Sequence, residues 1–116
     1  MDDIQGKVTI APMVLTTIVR QTALECEGVS RLAPLPAKMR GLLSGGTSEE
    51  GIFVNVTEQG VQAEVHIVAN AGSNMLKVGS TLQARITRAL EEMVGMPVVS
   101  VDVYIDDVTV PPAAVA

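Results

Sequence analysis

His66 is the single histidine of the chain and Cys26 its single cysteine, so few kinds of side-chain chemistry are open to it. A histidine-rich metal site, a multi-cysteine metal site and any two-histidine mechanism are excluded by count alone. The groups left to move protons or hold a divalent cation are Glu64, Asp102, Asp106 and Asp107, with Glu64 and Asp102 on the same face of alternating segments. Solvated strands ordinarily carry outward charges of this kind, and no D-x-D-x-D-G loop is present to wrap calcium. Ser100 is the one nucleophile that a sheet could bring across to His66. No third group is indicated to orient such a pair, and a flat strand face is not a cleft. No catalytic residue, no metal site and no cofactor site is therefore expected.

The most motif-like stretch is LAPLPAKMRGLLSGG, residues 32–46. Its end runs into G-L-L-S-G-G-T-S at 41–48, which has the outer glycines and final serine of a phosphate loop. Thr47 stands where a lysine must reach the phosphates, and a strand pattern follows where a helix should begin. Arg31, Lys38 and Arg40 carry positive charge without an interleaved aromatic to stack on bases. Met39, Leu42 and Leu43 would share a side of two helical turns, too short a segment to hold a membrane alone. The stretch reads as a connector, residues 31–50, between two structured halves.

Composition narrows the class further. The 116 residues suit one domain, and with 47 % apolar but only 2 % aromatic residues its core must be aliphatic. A net charge of -5 opposes general affinity for nucleic acid or anionic lipid. A lone cysteine fits a reducing, cytoplasmic compartment. The opening MDDIQGK is acidic where a secretory signal is basic. The longest uncharged run near it, Val8 to Val19, has twelve residues and contains Pro12, against the about 20 needed to span a bilayer. Direct membrane insertion is not expected.

The elements that would position these groups follow from periodicity. GKVTI at 6–10 is a short β-type run, and Pro12 suits the first turn of a helix that should extend to about Glu27. Leu15, Val19, Thr22, Ala23 and Cys26 share one helical face with Ile18 on its flank, which makes Cys26 a buried, inert thiol. From Gly51 the period becomes two. Ile52, Val54 and Val56 point inward in the first strand of a hairpin, and Val61, Ala63, Val65 and Ile67 in the second. Pairing Val56 with Val61 unites the apolar faces and leaves TEQG as the loop. Ser73 or Asn74 should cap a second helix to about Val94, with Met75, Val78, Leu82, Ile86, Ala89, Leu90 and Met93 as its apolar stripe. Arg88 and Glu92, four apart on its far side, can pair. VVSVDVYID then alternates again, Val99, Val101, Val103 and Ile105 inward.

The predicted class is α+β, in the order β-α-β-β-α-β, with two long helices on one face of a mostly antiparallel sheet forming a two-layer sandwich. Residues 1–5 are expected to be a flexible start, 6–108 a single domain and 109–116 a disordered tail. The sheet's other face should be wet, yet it carries the apolar Phe53, Val68, Val98 and Tyr104 beside His66. The only Phe and the only Tyr of the chain both fall there. These five residues form the candidate interaction surface.

Three ordered pieces, GKVTIAPMVLTTIVRQTALECEGVSRL, GIFVNVTEQGVQAEVHIVAN and LQARITRALEEMVGMPVVSVDVYIDDV, resemble the alkaline shock protein family, also called the envelope stress response family, of Gram-positive and related bacteria. The likeness runs from about residue 6 to residue 108 and includes the G-K-V-T-I start, the E-x-E-G-V at 25–29 and the E-E-M-V-G before the last strand. Ala11 and Met13 depart from it, where a polar cap and an acidic residue are usual. The resemblance implies a non-enzymatic, cytoplasmic, self-associating scaffold linked to envelope stress. It also implies a homo-oligomer held at the inner face of the cell membrane by a membrane-anchor protein. The alternative is a regulatory small-molecule-binding α+β module connected to lipid metabolism, which rests on fold analogy.

Overall fold

The computed structural model describes residues 5–34 and 47–110. Helix α1 (Pro12–Glu25) leads to strand β1 (Val29–Leu32), then β2 (Thr47–Glu49), β3 (Ile52–Thr57) and β4 (Gly60–Asn70). Helix α2 (Met75–Ala89) continues into a wider π turn (Leu90–Val94) and is followed by β5 (Val98–Thr109). The order is thus α-β-β-β-β-α-β. The expected first strand is absent among the described residues: residues 5–10 form no regular element, and Val8 is 92 % exposed. A β-type run becomes a strand only when its backbone finds a ladder, and Pro12 turns this one directly into α1.

Strand β4 is the axis of the sheet. Along one side it pairs in parallel with β5, and along the other it pairs antiparallel with β3 over its first half and with β1 over its second. β2 adds outside β3. The expectation of a mostly antiparallel sheet holds for these pairings apart from β4 with β5. β1 and β3 lie end to end against β4, as one strand interrupted by the excursion between Ala33 and Gly51. The junction is fixed at His66, whose N–H donates to the Gly51 carbonyl and whose carbonyl accepts from Ala33 N–H, both at 2.8 Å. The stretch expected to be a mere connector, 31–50, therefore supplies the end of β1 and all of β2. The phosphate-loop, basic and membrane readings of 35–46 lie outside the described residues, as do residues 1–4 and 111–116. Thr109, assigned to the tail from sequence, instead pairs with Asn70 at the end of β5.

Both helices pack on one side of this sheet. Leu15, Ile18, Val19 and Ala23 of α1 and Val78, Leu82 and Ile86 of α2 join Ile52, Val54, Val61, Ala63, Val65 and Ile67 in one aliphatic core. The hairpin register is the expected one, Val56 opposite Val61, but Thr57 and Gly60 also pair, so the loop is Glu58–Gln59. Val56 itself is 45 % exposed rather than buried with the rest of the inward set. In α2 the Asn74 side chain accepts from Lys77 N–H at 3.1 Å, and Arg88 meets Glu92 at 2.9 Å. Met93 leaves the apolar stripe: the π turn inserts extra backbone, which turns Met93 to solvent and Val94 onto the core.

The β2–β3 turn is Glu50–Gly51, with φ of 35° and 78°. Two successive positive φ values are the signature of the hairpin turn that favours Asn-Gly, and glutamate is costly in its first position. Glu50→Asn should therefore raise stability by about 0.5–1 kcal/mol, read as a higher midpoint in urea unfolding with an unchanged slope.

Candidate functional site

The face of the sheet away from the helices carries the outward residues of three strands. Even-numbered residues of β4 point there, and register sets Phe53, Glu64 and Asp102 in one row and His66 beside Tyr104 in the next. The His66 and Tyr104 rings stack with centroids 4.6 Å apart and planes 12° apart. His66 is only 4 % exposed, so the histidine expected at the surface is in fact buried on the wet face.

Both ring nitrogens of His66 are engaged. Nε2 lies 2.8 Å from Glu64 Oε2 and Nδ1 lies 2.8 Å from Asp106 Oδ2. A carboxylate only accepts, so both contacts are hydrogen bonds only when two protons are shared among the three groups, on both ring nitrogens or on one nitrogen and one carboxyl. Asp106 reaches the ring because β5 carries a bulge: Ile105 pairs with Ile67 and Asp107 with Val68, leaving Asp106 as the extra residue. Such bulges re-aim single side chains. The arrangement leaves no ring nitrogen free to activate a nucleophile. Ser100 pairs with Gln62 rather than His66, so the one nucleophile and the one histidine are not brought together. The two carboxylates sit on opposite sides of the ring and do not converge. Among the described residues no group of three His, Cys, Asp or Glu side chains is placed to hold a metal ion.

The five residues of the candidate surface have separate fates. Phe53 is half-buried and Tyr104 is 44 % exposed, and both border open solvent. Val68 is buried between Arg31 of β1 and Asp107 of β5 in the pairing. Val98 packs against the core and Val99 is exposed, the reverse of the alternation expected for them. The cause is a second bulge, where Val61 pairs with Val98 and Gln62 with Ser100. The exposed part of the face is thus Phe53 and Tyr104 with an acidic surround of Glu64, Asp102 and Asp106. These carboxylates, Glu64 first, together with partial burial, push the Tyr104 phenol above its ordinary pKa. Tyr104 is a neutral hydrogen-bond donor at physiological pH. A shallow hollow of about 160 Å³ lies on this face between Phe53, Gln62, Glu64, Ser100 and Asp102.

Elsewhere, Cys26 is buried as expected. Desolvation pushes its thiol up, partly opposed by the Arg85 guanidinium and reinforced by Glu27. A protonated buried thiol is a poor nucleophile. A larger cavity of about 340 Å³ lies between the end of α1 and the start of α2, lined by Glu27, Gly28, Ser73, Lys77, Thr81 and Arg85 among others. No helix among the described residues is long and apolar enough to cross a membrane.

Comparison with known proteins places this arrangement. The chain is 29 % identical over 108 residues to the uncharacterized protein YqhY of Bacillus subtilis, covering 86 % of this chain and 75 % of that protein. It is 27 % identical to the uncharacterized protein Spy1614 of Streptococcus pyogenes, covering 90 % of this chain and 89 % of that one. With the uncharacterized protein YloU of Bacillus subtilis the identity is 21 %, covering 90 % of each chain. No solved structure matches the chain significantly. The model of the alkaline shock protein family, described as having a cell envelope-related function, matches residues 1–110. With nearly the whole length matched, and the resemblance read from its three ordered segments agreeing, the chain belongs to the alkaline shock protein family.

Proposed function

We propose that this protein is a non-enzymatic interaction module of the cell envelope: a self-associating scaffold that a protein partner recruits to the membrane. The observation that carries this reading is the sheet face left bare by both helices, with the chain's only Phe and only Tyr bordering solvent on it. The polar valences beneath them are spent on each other, in the Glu64–His66–Asp106 chain. A face that sets two aromatic rings among carboxylates, with its one histidine fully engaged, suits recognition of another protein surface rather than turnover of a substrate. Recruitment through a protein is favoured because the net charge of -5 repels anionic lipid.

The test is sedimentation velocity on Phe53→Ser combined with Tyr104→Ser. Neither side chain belongs to the core cluster. The expected outcome is a lower sedimenting mass with unchanged far-ultraviolet circular dichroism. An unchanged mass counts against the face as an assembly surface.

The reading as a regulatory small-molecule module connected to lipid metabolism draws on the cavity between α1 and α2, whose Lys77 and Arg85 suit an acidic ligand. That cavity is at the small end of the range that encloses ligands, which makes this the weaker reading.

A further inference from the structure

Resting on the self-association reading, we infer that two copies of this chain join through the free edge of β5, in antiparallel register about Val103, so that their sheets become continuous.

The edge itself is the first observation. β5 is twelve residues long and pairs only with β4 among the described residues. The direction of its backbone groups follows from β4. His66 N–H is spent on Gly51, on the β3 side, whereas Val61 N–H donates to Pro97 O, on the β5 side. Odd-numbered residues of β4 thus face β5, and the parallel register then turns the N–H and C=O groups of Val101, Val103 and Ile105 away from β4. The Val101 carbonyl agrees with this direction, since it accepts from Gln83 Nε2 at 3.0 Å, a group that lies outside the ladder. A long row of unpaired backbone groups is a template for another strand.

The second observation identifies what would cover the edge. On the helix side it is flanked by a groove lined by Met75, Leu76, Gly79, Val103 and Ile105. Leu76 is 87 % exposed, and a Cβ built on Gly79 would meet nothing. A glycine inside a helix costs about 1 kcal/mol relative to alanine, and no neighbour among the described residues requires it here. A lone foreign strand would pair with the edge and leave Leu76 bare. A second copy brings its own α2 over its own β5, so the two-fold axis sets Met75 and Leu76 of each copy against the other's groove.

Charge narrows the register. Outward-facing residues must oppose outward-facing residues, which restricts the axis to whole residues. An axis at Asp102 sets Asp102 against itself, and an axis at Tyr104 sets Asp102 against Asp106. An axis at Val103 opposes Val101 with Ile105, Val103 with itself, Asp102 with Tyr104 and Ser100 with Asp106. No two carboxylates then face each other, and each Tyr104 phenol, held protonated by its acidic surround, lies opposite an Asp102 acceptor. Like charges directly opposite are destabilising, so this register is preferred over those centred on Asp102 or Tyr104. The Val101 carbonyl has two lone pairs and can keep Gln83 while accepting from the second copy.

The test uses the full chain. Asp102→Cys combined with Tyr104→Cys should give a covalent dimer on mild oxidation, seen on non-reducing gels, because opposed non-hydrogen-bonded residues have the Cβ spacing a disulfide needs. Either cysteine alone should crosslink several-fold less. Val103→Pro removes an outward N–H together with part of a half-buried side chain, and Leu76→Glu alters an exposed side chain. Each should lower the sedimenting mass about twofold, from two copies toward one, while circular dichroism shows the fold retained. A wild-type chain that sediments as a monomer at all concentrations overturns both this inference and the self-association it rests on. A wild-type oligomer unaffected by both substitutions, with no crosslink from the double cysteine variant, overturns the edge pairing and leaves self-association standing. Strong crosslinking by Asp102→Cys alone or Tyr104→Cys alone overturns the register.

Discussion

Gly51→Ala should be among the most damaging single substitutions in the chain. Gly51 has a φ of 78°, and a Cβ placed there would overlap the Ala33 carbonyl oxygen and lie 3.0 Å from that of His66. Neither oxygen is the tip of a flexible side chain. The His66 carbonyl is tied to Ala33 N–H and the Gly51 carbonyl to His66 N–H, so relief of the overlap must open the join between β1 and β3. The expected loss is about 3 kcal/mol or more, the sum of a left-handed alanine and a broken ladder position. For a domain of this size that lowers the melting temperature by roughly 10–20 °C. Gly72→Ala is the control. It has a φ of 91° but nothing within 4 Å, and should lose only about 1 kcal/mol from backbone strain. Equal melting temperatures for the two variants would show that the steric closure at Ala33 has no energetic weight.

His66→Ala is the second large effect. It removes the donor that Glu64 and Asp106 share, as well as the ring stacked on Tyr104. The Glu64 side chain is 16 % exposed against 37 % for Asp106, so Glu64 carries most of the penalty of being left without a partner. Lost packing and an unpaired, largely buried carboxylate together predict a loss of about 2–4 kcal/mol. Glu64→Gln in the same background should return part of it, because an amide in that place needs no charged partner. The double variant therefore should unfold at higher urea than His66→Ala alone. If it unfolds at lower urea, the carboxylate is not the source of the cost.

Much of the scaffold could be read from local pattern, and the losses have physical causes. The apolar stripe and Asn74 cap of α2, the inward set of β4 and the Val56–Val61 register depend on periods of 3.6 and 2, which sequence displays directly. β1 was hidden because Val29–Leu32 is too short to show alternation and sits between a glycine and a proline-rich stretch. The parallel partnership of β4 with β5 joins segments separated by a whole helix and leaves no local trace. Alternation did place His66 on the outer face correctly, but it specifies a side and not a cover. The carboxylate that completes the site arrives through a bulge, which shifts one residue without changing composition. The same blindness exchanged Val98 and Val99.

Because Ala33 and Gly51 are both clamped to the backbone of one residue, His66, the end of β1 and the start of β3 are held together at a single address. Loop closure there depends only weakly on how many residues are inserted. A peptide grafted between Pro34 and Thr47 should therefore leave the bonds of Ala33 and Gly51 to His66 in place.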